Sequence, residues 1–355
     1  MAPNRRIDLY SDTKTKPTEA MRRFMMAAEV GDEQKDEDPT VTRLCETVAA
    51  LLGKESAVFL PSGTMCNEIA LHVHCRPGDE VICDRTAHIV TSEAGGPAAL
   101  SGVMTNPIDG ARGIFTAAQL RQAARAESRY APRSRLVSIE QTSNFGGGSV
   151  WPLATIREVA AAARPLGLAL HMDGARLFNA VVASGVAAAD YAAPCDSLWI
   201  DFTKGLGAPV GAALAGSRDF IREAWRCKQR WGGAMRQAGI IAAAGLYALE
   251  HHVERLAEDH ANARRLAEGL AALPGLAIDP GAIETNIVFF EVMPESGFDA
   301  PSLVAALRER GVELGAFGPR RIRAVTHLDV TRSEIDAALA AFAAVLAPGQ
   351  RAGAA

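Results

Sequence analysis

Lys204 is the residue whose surroundings in the sequence most strongly suggest chemistry. It follows an apolar, strand-like run at 197–202 and precedes a turn that is broken by Gly205, Gly207, Pro209 and Gly211. A lysine held between a buried strand and a tight turn loses hydration, and this loss lowers the pKa of its ammonium group. Such a lysine is a nucleophile suited to a Schiff base with a carbonyl group, although a surface lysine at a strand end is the simpler alternative.

The turn Ser62-Gly63-Thr64 is a second candidate, between a predicted strand that begins at Ser56 and a predicted helix at 65–74. The first N–H groups of a helix are unpaired and the helix dipole favours negative charge, so such a turn can bind a phosphate. Gly63 lets the backbone approach a ligand closely, and the two hydroxyl groups add donors. A plain strand–helix connection with capping residues is the alternative.

Two more predicted strand ends carry polar side chains. Asp173 closes a buried strand that begins at Leu168, and Arg176 follows it. A buried carboxylate needs a partner, which could be a protonated ring nitrogen of a ligand or Arg176 itself. His88 comes just after the short strand at 81–83, where its ring could stack on a flat cofactor or serve a structural role.

These groups together match the requirements of pyridoxal phosphate. A helix N-terminus holds its phosphate, a carboxylate keeps its pyridine nitrogen protonated so that the ring acts as an electron sink, and a lysine forms the Schiff base. In this sequence the three parts are the turn 62–64, Asp173 and Lys204. No G-x-G-x-x-G joins a strand to a helix, which argues against the rival class, a nicotinamide oxidoreductase on a doubly wound sheet.

Strands and helices alternate along most of the chain, which predicts an α/β fold with a mainly parallel central sheet and ligands at the carboxyl ends of its strands. We expect an N-terminal segment at 1–30 that packs near the active site, a large cofactor-binding domain at 31–272 and a small C-terminal α+β domain at 273–355. The pattern also predicts a helix that Thr40 caps and one long helix at 235–270.

Composition limits the choice of partners. The 355 residues carry a net charge of −4 and are 48% hydrophobic, so the chain is ordinary globular protein with no basic surface for nucleic acid. We expect no membrane span, because no apolar stretch reaches the roughly 20 residues required, and no signal region. The six scattered cysteines predict free thiols in the cytoplasm. His72 and His74 do not share a helix face, so we expect no metal site.

The sequence also resembles the low-specificity L-threonine aldolases, a family of fold-type I pyridoxal phosphate enzymes grouped with the β-eliminating lyases. The resemblance covers nearly the whole chain and rests on many motifs in one order: Asp8–Thr13, Val30–Asp32 with Asp38–Thr40, Phe59–Thr64, Ala87-His88, Glu93–Gly96, Asp173–Ala180, Lys204–Gly211, Met235–Gly239 and Val325–Val330. It implies retro-aldol cleavage of an L-threonine or L-allo-threonine type of β-hydroxy-α-amino acid to glycine and an aldehyde. It also implies a homotetramer with active sites shared across a dimer interface.

The resemblance further implies a role for each residue that meets the cofactor. Lys204 is the Schiff-base lysine, Asp173 pairs with the pyridine nitrogen and His88 stacks on the ring. The residues that it assigns to the phosphate are Ser62, Gly63, Thr64 and, from a neighbouring subunit, Arg236.

The residues implied for the substrate are less uniform. Ser11, Arg176 and Arg323 are expected to bind the substrate carboxylate, and Arg176 also to lie near the phenolic oxygen of the cofactor. Ser143 stands where the family usually has a histidine near the substrate hydroxyl. A serine is no equivalent base at neutral pH, but it could form a hydrogen bond with that hydroxyl.

Other departures from the family pattern occur at three positions. Lys35 replaces part of a usual Tyr-Gly pair, Gln229 stands where lysine is common, and Tyr10 where arginine is common. A related lyase reaction therefore remains an alternative, either a β-elimination or the cleavage of a bulkier β-hydroxy amino acid.

Overall fold

The computed structural model describes residues 6–347, in a chain that divides into two compact units. The larger unit comprises residues 17–253, and the smaller unit combines residues 6–16 with residues 254–347. The domain boundaries expected from the sequence, after residues 30 and 272, differ from these unit limits and stay predictions.

Strands and helices alternate along most of the described chain. In chain order the strands are β1 (Ile7–Asp8), β2 (Ser56–Leu60), β3 (Asp79–Asp84), β4 (Met104–Ile108), β5 (Arg133–Glu140), β6 (Ala169–Gly174), β7 (Ser197–Asp201), β8 (Ala212–Gly216), β9 (Leu276–Ala277), β10 (Ile287–Val292), β11 (Val312–Glu313), β12 (Gly315–Ala316) and β13 (Arg321–Val325). The helices are α1 (Glu19–Met26), α2 (Pro39–Leu52), α3 (Gly63–His74), α4 (His88–Thr91), α5 (Gly96–Ser101), α6 (Ala117–Ala123), α7 (Leu153–Ala163), α8 (Leu177–Ser184), α9 (Ala188–Ala192), α10 (Arg218–Arg230), α11 (Gly239–His251), α12 (Leu256–Ala271), α13 (Ala300–Glu309) and α14 (Arg332–Leu346).

A seven-stranded sheet with the order β2-β8-β7-β6-β5-β3-β4 forms the centre of the larger unit. Among its described strands only β8 runs antiparallel to its neighbours, so the predicted α/β fold with a mainly parallel sheet is confirmed. The register pairs Glu140 with Asp173 and Asp173 with Trp199, which places the carboxyl ends of β5, β6 and β7 side by side. Such an edge is where α/β sheets bind ligands.

A hydrophobic core lies between this sheet and helices α3 and α10. Its buried side chains include Val58, Leu60, Ile69, Trp199, Leu214 and Phe220. Removing each large apolar side chain from water contributes roughly 1.5–3 kcal/mol. This layer therefore holds α3, and the turn that leads into it, against the sheet.

The smaller unit contains a four-stranded antiparallel sheet in the order β12-β13-β10-β9, and β1 pairs with β11. Helices α12, α13 and α14 supply much of a core that includes Leu266, Phe290, Ile335 and Phe342. The predicted α+β composition of the C-terminal part is confirmed.

The predicted cap of α2 is wrong, because Asp38 rather than Thr40 caps this helix. The Asp38 carboxylate accepts hydrogen bonds from the N–H groups of Thr40 and Val41 at 3.1 and 3.0 Å. Pro39 occupies the first helical position, where the N–H that proline lacks has no partner in any case.

The single helix predicted at 235–270 is also wrong, because two helices, α11 and α12, take its place. At the end of α11 the buried His252 donates from Nδ1 to the carbonyl of Leu206 at 2.6 Å. This tertiary contact competes with continuation of the helix, and local propensity gives no sign of it. Within residues 6–347, no helix combines the length and the apolar character needed to cross a membrane.

Candidate active site

The turn Ser62-Gly63-Thr64 lies where it was predicted, between β2 and α3, but the helix begins at Gly63 rather than at Met65. Ser62 caps the helix, because its Oγ accepts a hydrogen bond from the N–H of Met65 at 3.2 Å. Ser62 and Thr64 are exposed, and the N–H groups of Gly63 and Thr64 have no acceptor within residues 6–347. Exposed hydroxyls and unpaired amides at a helix N-terminus form a site for a phosphate group.

Gly63 is required by the packing beneath this turn. An ideal Cβ at this position would lie 2.2 Å from Cη2 of the buried Trp199. Only the hydrogen of glycine lets the backbone approach the indole ring so closely. The glycine therefore seats the turn directly on β7.

We expect Gly63→Ala to weaken binding of a phosphate-bearing cofactor by about tenfold or more. The added methyl group must displace either the turn or Trp199, and overpacking of this kind typically costs about 1–3 kcal/mol. Equilibrium titration of the apoprotein with pyridoxal phosphate measures the effect. Gly281→Ala is a matched control, since an added Cβ there comes no closer than 3.2 Å to a neighbouring atom. Equal affinity of Gly63→Ala and the wild type would contradict this account.

Asp173 is buried at the carboxyl end of β6, and both of its carboxylate oxygens accept hydrogen bonds. Oδ2 accepts from Nδ2 of Asn67 at 2.9 Å, and Oδ1 accepts from the N–H of Ala175 at 3.0 Å. Burial raises the pKa of Asp173, while the charges of Lys204 and His88 favour its ionised form. This carboxylate is suited to pair with a cationic ring nitrogen.

His88 begins the short helix α4, and its Nδ1 donates to Oε1 of Glu93 at 2.7 Å. Burial alone would lower the pKa of His88, but the hydrogen bond to Glu93 and the charges of Asp173 and Glu93 raise it. Its side chain is 29% exposed. The ring is thus held from one side by Glu93 and remains accessible to a ligand.

Lys204 lies between β7 and β8 in a segment without regular structure, as its glycines predicted. Its Nζ lies 3.3 Å from Oδ2 of Asp201 and 5.6 Å from a ring centre of Trp199. The side chain is 18% exposed, so the amine is accessible without being free in solvent. Its charge acts on both Asp173 and His88, which brings lysine, acid and histidine into one group.

Arg176 lies beside Asp173, at the start of α8. It is buried, and its N–H donates to the carbonyl of Gln141 at 3.0 Å. The hydrogen bond ties the start of α8 to the loop that follows β5. Arg176 therefore lies next to the predicted cofactor residues in the fold as well as in the sequence.

Ser143 is buried in the loop after β5. Its Oγ accepts a hydrogen bond from the N–H of Gly146 at 3.3 Å, and a Cβ on Gly113 would come within 2.0 Å of this oxygen. Within residues 6–347 no hydrogen bond joins Ser143 to Lys204 or Asp173. The hydroxyl is engaged inside its own loop.

Arg236 is 62% exposed, and its Nη1 pairs with Asp32 at 3.0 Å. Across residues 6–347 no hydrogen bond links its side chain to the turn 62–64 of the same chain. An exposed guanidinium can still reach a second copy, which is the arrangement that the resemblance implies for Arg236.

Ser11 and Arg323 belong to the smaller unit and are neighbours there. The Oγ of Ser11 accepts a hydrogen bond from the N–H of Thr13 at 3.3 Å. Arg323 is buried on β13, its guanidinium 4.6 Å from the ring centre of Phe317. Its Nη2 donates to the carbonyl of Tyr10, directly before Ser11, at 3.4 Å.

Sequence reasoning missed Asn67, the side chain that links the groups in the larger unit. Its Nδ2 donates to Asp173 at 2.9 Å and to Oε1 of Glu93 at 2.7 Å, while its Oδ1 accepts from Nε1 of Trp199 at 2.7 Å. The available signal is the pair Asn67-Glu68 in an otherwise largely apolar stretch of α3. Polar side chains at such positions are unfavourable unless they find partners.

A buried ion pair of Lys228 and Glu33 was also missed. Nζ of Lys228 contacts Oε1 of Glu33, and the two side chains are 0% and 2% exposed. The same Nζ lies 4.2 Å from a ring centre of Trp225. Lys204 is therefore not the most buried lysine, although it is the one at the carboxyl ends of the strands.

The residues in the larger unit fit pyridoxal phosphate. The turn 62–64 suits its phosphate, Asp173 suits its protonated pyridine nitrogen, His88 offers a ring face, and Lys204 offers an amine. These parts on a mainly parallel sheet define a fold-type I pyridoxal phosphate enzyme.

Comparison with known proteins identifies the family. The model of the β-eliminating lyase family matches residues 8–293. The chain is 43% identical to the low-specificity L-threonine aldolase of Escherichia coli K12, over 96% of this chain and 99% of that protein. It is 39% identical to low-specificity L-threonine aldolase 1 of Arabidopsis thaliana, over 95% and 96% of the two chains. The solved structure of a threonine aldolase from Leishmania major has a TM-score of 0.82 at 22% identity, over 96% and 100% of the chains, and supports the fold.

The chain belongs to the β-eliminating lyase family, among the low-specificity L-threonine aldolases. Pyridoxal phosphate is the cofactor of this family, so the predicted cofactor and the predicted class of lyase are confirmed.

Proposed function

We propose that this chain is a carbon–carbon lyase that cleaves a β-hydroxy-α-amino acid of the L-threonine or L-allo-threonine type into glycine and an aldehyde. The grouping of Lys204, Asp173 and His88 at the carboxyl ends of the strands carries the proposal. The relatives named as low-specificity L-threonine aldolases support the substrate class.

Each residue of the group has a separate task. Lys204 would supply the amine that holds the cofactor, and the buried carboxylate of Asp173 would favour a proton on the pyridine nitrogen. His88, held by Glu93, would offer its ring face to the ring of the cofactor. When bound, pyridoxal phosphate supplies the sink for the electron pair of the broken Cα–Cβ bond.

The remaining tasks concern the phosphate and the substrate carboxylate. The exposed hydroxyls and amides of the turn Ser62-Gly63-Thr64 bind the phosphate, with Arg236 of a second subunit as a further donor. Arg176 binds the substrate carboxylate beside Asp173. A part for Ser11 and Arg323 in carboxylate binding stays a prediction from the resemblance.

Ser143 favours one alternative reaction. The family usually has a histidine at this position, whereas the hydroxyl of Ser143 is buried against Gly113 and accepts a hydrogen bond from Gly146. A group so placed is a poor base for a substrate hydroxyl. A β-elimination, or the cleavage of a bulkier β-hydroxy amino acid, is therefore the rival.

The identity of the products separates these reactions. The purified protein, loaded with pyridoxal phosphate, is incubated with L-threonine, L-allo-threonine and L-phenylserine, and all products are quantified. We expect equal amounts of glycine and aldehyde from L-threonine or L-allo-threonine. Formation of ammonia and a keto acid instead would show that the enzyme is an eliminating lyase and not an aldolase. Turnover of L-phenylserine alone would favour the bulkier substrate.

We also propose that the enzyme works in the cytoplasm as a homotetramer. All six cysteines are free thiols, five of them buried, as suits a reducing compartment. Val30 and Ile240 are 45% and 49% exposed, and contact with a second copy would remove such apolar side chains from water.

A further inference from the structure

Two buried carboxyl groups lie within hydrogen-bonding reach of each other behind the proposed cofactor residues. Glu68 on α3 and Glu93, before α5, are 2% and 6% exposed. Within residues 6–347 no donor reaches either oxygen of Glu68 or Oε2 of Glu93. Two ionised carboxylates in this arrangement would repel each other without compensating hydrogen bonds.

The space around the pair is closed. A Cβ on Gly96 would lie 2.0 Å from Oε1 of Glu68, so the backbone of α5 covers this oxygen. The titratable groups that face the pair act through Glu93: His88 from α4 donates to it, and Asp173 from β6 shares the donor Asn67 with it. A proton between the two carboxyl groups is therefore the simplest way to satisfy them.

The geometry of Asn67 decides which of the two carboxyl groups is ionised. A tryptophan Nε1 can only donate, so Oδ1 of Asn67 must face Trp199 and its Nδ2 must donate to both Asp173 and Glu93. Oε1 of Glu93 thus receives two donors, from Asn67 and His88. Glu93 is the better stabilised anion, and Glu68 is the member of the pair that keeps the proton.

We propose that Glu68 stays neutral and donates its proton to Glu93, and that this pair, directly and through Asn67, positions His88 to face the cofactor ring and Asp173 to meet its pyridine nitrogen. The proposal rests on the proposed function for the roles of His88 and Asp173. Asn67, Glu68 and Glu93 act through these residues and are positioning residues.

The electrostatics of Glu68 agree with this assignment. Burial, followed by the charge and the hydrogen bond of Glu93, raises the pKa of Glu68 from its ordinary value of 4.5 to about 8. The unfolded chain loses this proton near pH 4.5, whereas the folded chain keeps it up to about pH 8. The free energy of unfolding should therefore fall as the pH rises through this window, and the loss should end above it.

The first test compares Glu68→Gln with Glu68→Leu in the holoenzyme at pH 7. Glutamine is neutral and still donates to Glu93, so we expect kcat, KM and the affinity for pyridoxal phosphate to stay within about twofold of the wild type. Leucine leaves the buried Oε2 of Glu93 without a donor, and such a loss costs about 1–3 kcal/mol. We expect kcat of Glu68→Leu to fall about tenfold or more with little change in KM.

The second test uses the apoprotein and needs neither cofactor nor substrate. Unfolding is measured between pH 5 and 9 for the wild type and for Glu68→Gln, which cannot titrate at this position. We expect the variant to gain stability relative to the wild type as the pH rises. Parallel curves for the two proteins would overturn the proposal, as would Glu68→Gln activity as low as that of Glu68→Leu. If the two stability curves diverge but the wild-type protein cleaves no β-hydroxy amino acid, the proposed function is overturned and the proton shared by Glu68 and Glu93 is not.

Discussion

The Lys204→Ala protein is expected to lose cleavage of L-threonine, with kcat lower by about a thousandfold or more. The reason is that Lys204 supplies the only amine of the group formed with Asp173 and His88 among residues 6–347. Without it the cofactor is held by its phosphate and ring contacts alone. Borohydride reduction followed by mass spectrometry should find the cofactor attached to the wild-type chain and absent from the variant.

Lys54→Ala is the matched control for Lys204→Ala. Its Nζ donates to the carbonyl of Cys195 at 2.5 Å. Lys54 precedes β2 and Cys195 precedes β7, so this lysine lies at the amino ends of the strands, away from the predicted site. The control should keep wild-type activity and covalent attachment. An active Lys204→Ala enzyme with attached cofactor would refute the assignment of the lysine.

The Lys228→Met protein should be strongly destabilised. The substitution leaves the carboxylate of Glu33 buried at 2% exposure without its cation, and breaking a buried pair in this way costs about 3–5 kcal/mol. In a unit of this size the melting temperature should fall by about 10 °C. Thermal unfolding followed by circular dichroism measures the change.

Two companion variants separate loss of the pair from loss of packing. In Glu33→Gln/Lys228→Met the buried charge is gone. The N–H of Met235 donates a hydrogen bond to Oε2 of Glu33 at 2.9 Å, and the amide oxygen of the glutamine can still accept it. This protein should regain most of the stability. Arg226→Met removes a 70% exposed cation from the same helix and should cost less than about 1 kcal/mol. A double variant as unstable as Lys228→Met would contradict the explanation by an unpaired charge.

Lys204 and Asp173 could be located from the sequence because each follows an apolar run, and strand ends are visible locally. The parallel sheet could be predicted from the same alternation, since parallel strands need helical crossovers. The turn at 62–64 was recognisable through its small residues, although Gly63 proved necessary for a different reason, the indole of Trp199.

The supporting residues could not be predicted because their roles depend on distant partners. Glu68 and Asn67 lie on a helix, where polar residues usually face solvent, and they are buried by tertiary packing against α5, β6 and β7. Lys228 sits in a basic run that reads as a solvated surface, yet its partner Glu33 is 195 positions away. Such pairs are set by tertiary packing, to which local patterns are blind.

The antiparallel strand β8 has a consequence for the order of folding. The turn 62–64 follows β2, and the segment with Lys204 precedes β8. These two strands pair directly, with Leu60 opposite Ala212. Closing a loop of about 150 residues carries a large entropic cost that is recovered only when the long-range contacts form. We therefore expect the two halves of the site to meet late in folding, so that a nascent or partly folded chain contains neither a complete cofactor site nor catalytic activity.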